Sequence, residues 1–144
     1  MSWRDRGSYN SEQINDYTAS PKTKEQCLDE GINNYQAKNY DKALMACERA
    51  LQLDPNYFLA YYGEGLALHD LGHYLKALAA FECAIQLVPK NPIAYIGKGN
   101  SFCKLNRYEE ALAAFEQAES APEEVLAAVA RRTEVPWAPA PKRT

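Results

Sequence analysis

The sequence predicts an all-α solenoid of three helical hairpins stacked in line and closed by a C-terminal capping helix. Two observations carry that expectation. Tyr40, Ala43, Leu44 and Ala50 recur 34 residues on as Tyr74, Ala77, Leu78 and Ala84, and again as Tyr108, Ala111, Leu112 and Ala118. Gly31, Gly65 and Gly99 keep the same step, while Pro55 and Pro89 close the first two blocks. A period of this length marks one supersecondary unit that buries its apolar face against copies of itself.

Each block divides into two helical patterns. In the second block Tyr61, Gly65 and Leu68 mark one face of a first helix, and Ala77, Phe81, Ala84 and Ile85 mark one face of a second. Gly72 lies between them in HDLGHY, where a residue with free φ can end one helix and turn the chain. The third block turns through LNRY with Asn106 in that role, and the first through KNY with Asn39. Gly31, Gly65 and Gly99 on first helices are expected to face Ala43, Ala77 and Ala111 on second helices, since only small side chains permit close approach. Glycine within a helix costs roughly 1 kcal/mol relative to alanine, so three in register imply a packing gain larger than that. Pro55 and Pro89 end second helices, because proline lacks the N–H and disfavours helix in the residue before it.

These residues resemble the tetratricopeptide repeat (TPR) family. Its pattern of an aromatic, Gly, an aromatic or Leu, Ala, Phe, Ala and Pro reads here as Tyr61, Gly65, Leu68, Ala77, Phe81, Ala84 and Pro89, and then as Tyr95, Gly99, Phe102, Ala111, Phe115 and Ala118. Cys27, Asn34 and Cys47 depart from it in the first block, which is therefore expected to pack more loosely, and Pro122 comes one residue early in the third. The repeats are expected over 24–57, 58–91 and 92–121. Residues 122–133 read as the capping helix: Pro122 starts it, Glu123 and Glu124 suit its positive end, Arg131 and Arg132 its negative end, and Val125, Leu126 and Val129 its apolar side. Residues 134–144 form a Pro-rich tail whose Pro136 and Pro139 make a PxxP, with Lys142 and Arg143 a residue late for the usual adaptor-binding pattern. Trp137 could instead fold back onto the repeats. Residues 1–22 are polar and aperiodic, and disorder is expected there.

Composition narrows the function. The 144 residues carry a net charge of −3 and no basic stripe, which argues against nucleic acid as a partner. No run of about 18 apolar residues is available to span a bilayer, and the amino terminus has no apolar signal core, so a cytoplasmic protein is expected. Four cysteines, at 27, 47, 83 and 103, are too widely spaced for a CxxC motif and read as free, reduced thiols. Enzyme signals are missing: no Ser, His and Asp set or phosphate loop appears, and Gly72 separates His69 from His73, leaving a satisfied surface pair as their expected role. No cofactor and no metal are expected.

The resemblance implies a right-handed superhelix whose concave face is lined by the first helices. The groove positions it designates include Leu28, Ile32 and Tyr35, then Leu59, Tyr62, Leu66 and His69, then Ile93, Ile96 and Asn100, with Gly63 and Gly97 leaving room above the backbone. The best-known subfamily holds the carboxylate of chaperone tails with Lys, Asn and Arg at positions that here carry Leu28, Ile32, Gly63, Ile93 and Gly97. Without those donors an acidic chaperone tail is disfavoured, and an apolar or aromatic peptide or helix is the expected ligand. Glu25, Asp29 and Asp70 on the rim favour a partner with some positive charge. The expected function is a non-catalytic protein-interaction module, a scaffold or adaptor. The alternative is a structural or weakly self-associating repeat protein, its groove filled by its own tail or by another copy.

Overall fold

The computed structural model describes residues 20–119 together with Glu123 and Ala127. Among the described residues up to 119 the chain is six helices and no strand: α1 (Lys24–Gln36), α2 (Tyr40–Leu53), α3 (Phe58–Asp70), α4 (Tyr74–Leu87), α5 (Pro92–Lys104) and α6 (Tyr108–Gln117). They pair as consecutive hairpins, α1 on α2, α3 on α4 and α5 on α6, with α2 against α3 and α4 against α5 joining one hairpin to the next. First helices also touch across repeats, α1 with α3 and α3 with α5, and no comparable packing joins α2 to α4 or α4 to α6. The first helices therefore line the inner face of a helical solenoid, as the repeat pattern predicts. Glu123 and Ala127 are helical. The rest of the expected capping helix 122–133, the tail 134–144 with Trp137, and residues 1–19 lie outside the described residues.

Local chemistry sets the helix ends. Thr23 and Gln26 form a capping box at α1, the Gln26 amide donating to Thr23 Oγ1 at 3.1 Å and the Thr23 amide to Gln26 Oε1 at 2.8 Å. Asn91 caps α5 by accepting from the Ile93 amide at 3.1 Å, with Pro92 at the first helical position. Helices α2 and α4 stop at Leu53 and Leu87, each two residues ahead of its proline.

The turns within hairpins correct one expectation. Gly72 (φ 86°) and Asn106 (φ 60°) take the left-handed conformation as predicted, but in the first repeat that residue is Lys38 (φ 64°), while Asn39 is the N-cap of α2. The 34-residue register points to Lys38 as well, since the position is fixed by the length of the first helix and not by residue type. A lysine pays for left-handed backbone through its Cβ. Lys38→Gly is expected to raise stability by about 1 kcal/mol, read as a higher urea midpoint at unchanged slope. An unchanged or lower midpoint contradicts strain at this turn.

The small residues pack differently from the expected Gly-on-Ala scheme. Ala43, Ala77 and Ala111 are fully buried, yet what lies over Gly65 and Gly99 is an aromatic ring. A Cβ on Gly65 would sit 2.5 Å from the Phe81 ring, and one on Gly99 2.6 Å from the Phe115 ring. Gly97, on the first helix of the following repeat, presses on Phe81 from the other side, where a Cβ would fall 2.4 Å from the ring. The room expected above Gly97 is thus filled. Phe81 and Phe115 are the largest fully buried side chains among the described residues, and a two-glycine frame, Gly65 and Gly97, seats Phe81.

Candidate functional site

The same frame exists one repeat earlier without its ring. Gly31 and Gly63 flank position 47, where Cys47 stands for phenylalanine; a Cβ on Gly31 would lie 3.2 Å and one on Gly63 2.8 Å from its sulfur. A thiol fills less space than a phenyl group, and a cavity of about 340 Å³ opens here on the inner face. Helix α1 lines it with Leu28, Gly31, Ile32 and Tyr35, and α3 with Leu59, Tyr62, Gly63 and Leu66. Each set follows i, i+3, i+4, i+7, one stripe of a helix facing its counterpart. Ala43 and Cys47, one turn apart on α2, complete the lining from behind, with Gln36 its one side-chain amide.

Six of the ten residues expected in the groove thus converge on this cavity. Leu28 is buried, whereas Ile32 and Leu59 remain 44% and 46% exposed. Tyr62 and Leu66 pack on a core of Leu68, Ala77, Ala80 and Phe81. The Tyr62 ring stands 6.0 Å from that of Phe81 and stacks on Phe58 at 6.5 Å, so this wall is held by the second repeat. The Tyr35 hydroxyl donates to the Asp70 carboxylate, tying α1 to α3. Burial first, and Asp70 second, raises the Tyr35 phenol pKa above its ordinary value. Burial, reinforced by Glu64 and Glu48, pushes the Cys47 thiol up to about 11, so it is protonated at neutral pH and a poor nucleophile.

The other four expected groove residues lie elsewhere. Ile93 is half-buried near the start of α5, Asn100 is exposed, and Ile96 packs against Leu78, Phe102, Ala111 and Phe115. His69 does not form a surface pair with His73. Its Nδ1 lies 3.0 Å from Oγ of the fully buried Ser101 on α5, its ring meets Tyr74 edge-on, and His73 is the N-cap of α4. Burial, with a smaller contribution from Lys104, lowers the His69 pKa below 6.5 against the opposing pull of Asp70. The unfolded chain then takes up the proton more readily than the folded one. Stability supplied by the neutral ring is complete above the ordinary imidazole pKa and is lost as pH falls through it toward the lower folded value. Urea midpoints measured from about pH 7.5 to about pH 5.5 should fall for the unaltered chain and fall less for His69→Gln. Equal falls contradict the assignment.

Charge stays at the edge. Glu25, Asp29 and Asp70 are exposed, and no residue lining the cavity carries a formal charge. Of the positions where the chaperone-tail clamp would place its donors, Leu28, Ile32 and Gly63 lie in the cavity wall and Gly97 sits against Phe81. Cys27, Cys47, Cys83 and Cys103 are free thiols. Among the described residues no cluster of His, Cys, Asp and Glu could hold a metal, and no helix is long and apolar enough to cross a membrane.

Comparison with known proteins bears on this geometry. A family model described as tetratricopeptide repeat matches residues 34–98, and a second of the same description matches residues 93–124. The chain belongs to the tetratricopeptide repeat family. Solved TPR structures share its fold. The Arabidopsis OM64 TPR domain is 26% identical over 76% of this chain and 93% of that one, with a TM-score of 0.68. MamA is 29% identical over 67% of this chain and 57% of its own, with a TM-score of 0.64. The first TPR of Spaghetti (RPAP3), solved bound to the HSP90 peptide SRMEEVD, is 20% identical over 67% of this chain and 76% of that one, at a TM-score of 0.65. No curated protein matches the chain significantly. TPR domains are in general protein-interaction modules.

What the repeat pattern did not reveal is the floor of the cavity. A signal for it exists: Gly31, Cys47 and Gly63 are spaced 16 residues apart, as are Gly65, Phe81 and Gly97, so both frames can be read as a glycine on either side of position 47 or 81.

Proposed function

We propose that this TPR chain is a non-catalytic scaffold or adaptor that holds an apolar or aromatic peptide segment between α1 and α3. The observation that carries the reading is the uncharged cavity of about 340 Å³ lined by two facing helical stripes. Its size falls within the roughly 300–1,000 Å³ of typical ligand sites. TPR structures of the same fold are solved with HSP90 peptide and in a pHsp70 complex of yeast Sti1. The HSP90 peptide, SRMEEVD, has acidic residues near its end, and the cavity here offers neither lysine nor arginine to receive a carboxylate. Apolar side chains complement Leu28, Ile32, Leu59 and Leu66, and the acidic rim favours basic residues flanking them. A reducing, cytoplasmic setting suits the four free thiols.

Peptides selected from a displayed random library on the full chain supply the ligand for the test. Ile32→Glu with Leu59→Glu places two carboxylates at the mouth, on side chains exposed enough to leave folding intact. Calorimetry should show selected peptides binding the double variant at least about tenfold more weakly, the equivalent of losing one buried apolar side chain. Undiminished binding places the site elsewhere.

A further inference from the structure

We propose that residues 134–144 of this chain dock in its own groove between α1 and α3 and compete there with the partner peptide. The inference rests on the groove reading and adds its regulation. Chemistry, charge and reach commit the groove to this segment. The cavity suits an uncharged ligand flanked by cations, since its lining bears no formal charge and acidic residues stand on its rim. Residues 135–141 (VPWAPAP) are uncharged, hold one large aromatic, Trp137, and run straight into Lys142 and Arg143. Residues 1–19 are broken up by Arg4, Asp5, Arg6, Glu12 and Asp16 and offer no such run. Pro136, Pro139 and Pro141 fix their own φ angles, so the segment gives up less conformational freedom on docking than an ordinary peptide.

The carboxylates lie where those cations would arrive. Glu25, Leu28, Asp29 and Ile32 follow one stripe of α1 at i, i+3, i+4 and i+7, which continues the apolar lining toward the start of the helix. Glu25 and Asp29 are exposed and make no salt bridge among the described residues, whereas Asp70 accepts the Tyr35 hydroxyl. From Tyr35 back to Glu25 is about 15 Å of helix. From Trp137 to Lys142 is also about 15 Å of polyproline-like chain. An indole beside Tyr35, Tyr62 and Leu66 therefore puts Lys142 and Arg143 over Asp29 and Glu25, with the tail antiparallel to α1. Packed helices stand about 8–10 Å apart, so crossing α5 and α3 from the third hairpin takes up to about 30 Å. The ten residues from the helical Ala127 to Trp137 span up to about 33 Å. A tethered segment acts at an effective concentration of about 1 mM, so an intrinsic Kd of about 0.1 mM keeps the groove about nine-tenths occupied.

The full chain carrying Trp3→Phe, with Trp137 as its one remaining tryptophan, tests the proposal by fluorescence. Trp137 should emit to the blue of the urea-unfolded chain and resist acrylamide at every protein concentration. Ile32→Glu with Leu59→Glu, both at exposed positions, should return its emission to the unfolded value. Glu25→Lys with Asp29→Lys should raise acrylamide quenching, and adding Lys142→Glu with Arg143→Glu to that variant should lower it again. Trp137→Ala in the full chain should tighten binding of library-selected peptides at least about threefold, because a larger fraction of grooves is then open. Emission like that of the unfolded chain overturns the proposal, as does protection that survives Ile32→Glu with Leu59→Glu. Protection that grows with protein concentration assigns the groove to a second copy and overturns it equally. Trp137 exposed, with peptides still weakened by Ile32→Glu and Leu59→Glu, removes the tail and leaves the groove reading intact. Trp137 released by those two substitutions, with selected peptides indifferent to them, instead overturns the groove reading and leaves the docked tail standing.

Discussion

Phe81→Ala is expected to lower the free energy of unfolding by about 3–5 kcal/mol, the range for removing a fully buried aromatic side chain. Phe81 has no exposed surface, and its ring is gripped by Gly65 of its own repeat and Gly97 of the next. Truncation would empty both contacts together. In a solenoid each repeat is held by its neighbours alone, so the loss falls on the junction between the second and third hairpins. Urea unfolding should show a lower midpoint, and amide exchange should speed first in α5 and α6. A loss below about 1 kcal/mol, the scale of an ordinary substitution, contradicts the role given to this ring.

A matched pair of glycine substitutions should move stability in opposite directions. Gly97→Ala is expected to destabilise by about 1–2 kcal/mol, because its Cβ would meet the Phe81 ring at 2.4 Å and the ring is confined by Gly65 on its far side. Helix propensity favours alanine by about 1 kcal/mol and offsets only part of that cost. At Gly31 the nearest atom to a new Cβ is Cys47 Sγ at 3.2 Å, beside an open cavity into which the thiol can turn. Propensity then prevails, and Gly31→Ala is expected to stabilise by up to about 1 kcal/mol. Equal effects at the two sites, measured by urea unfolding, would contradict the difference between the frame filled by the Phe81 ring and the one filled by the smaller Cys47 thiol.

The two substitutions also mark where sequence and structure part. Hairpins, their 34-residue step and the inward-facing stripes of α1 and α3 were legible because helical periodicity and repeat register both act along the chain. Leu28, Ile32, Tyr35, Leu59, Tyr62 and Leu66 follow from that register and meet at one cavity. Contacts between helices follow a different rule. Gly65 and Gly97 belong to different repeats and meet through Phe81, on a third helix, so pairing glycine with alanine inside one hairpin missed the ring. Cys47 was visible as a departure from the repeat pattern, but the space it leaves depends on the two flanking glycines being retained. The role of His69 is hidden from the sequence for a related reason, since its partner Ser101 lies on the next repeat and has no sequence signal of its own. At the first turn residue type points to Asn39, whereas the repeat register points to Lys38, which takes the left-handed conformation.

The central claim, that ligands enter between α1 and α3 over Cys47, is tested most directly by mapping amide shifts of the full chain with a library-selected peptide. The largest shifts are predicted at Gly31, Ile32, Leu59 and Gly63. Exposed apolar side chains also occur on the second helices, at Met45, Leu53 and Leu75. Shifts centred on those three, with Gly31 and Gly63 unmoved, would contradict the account.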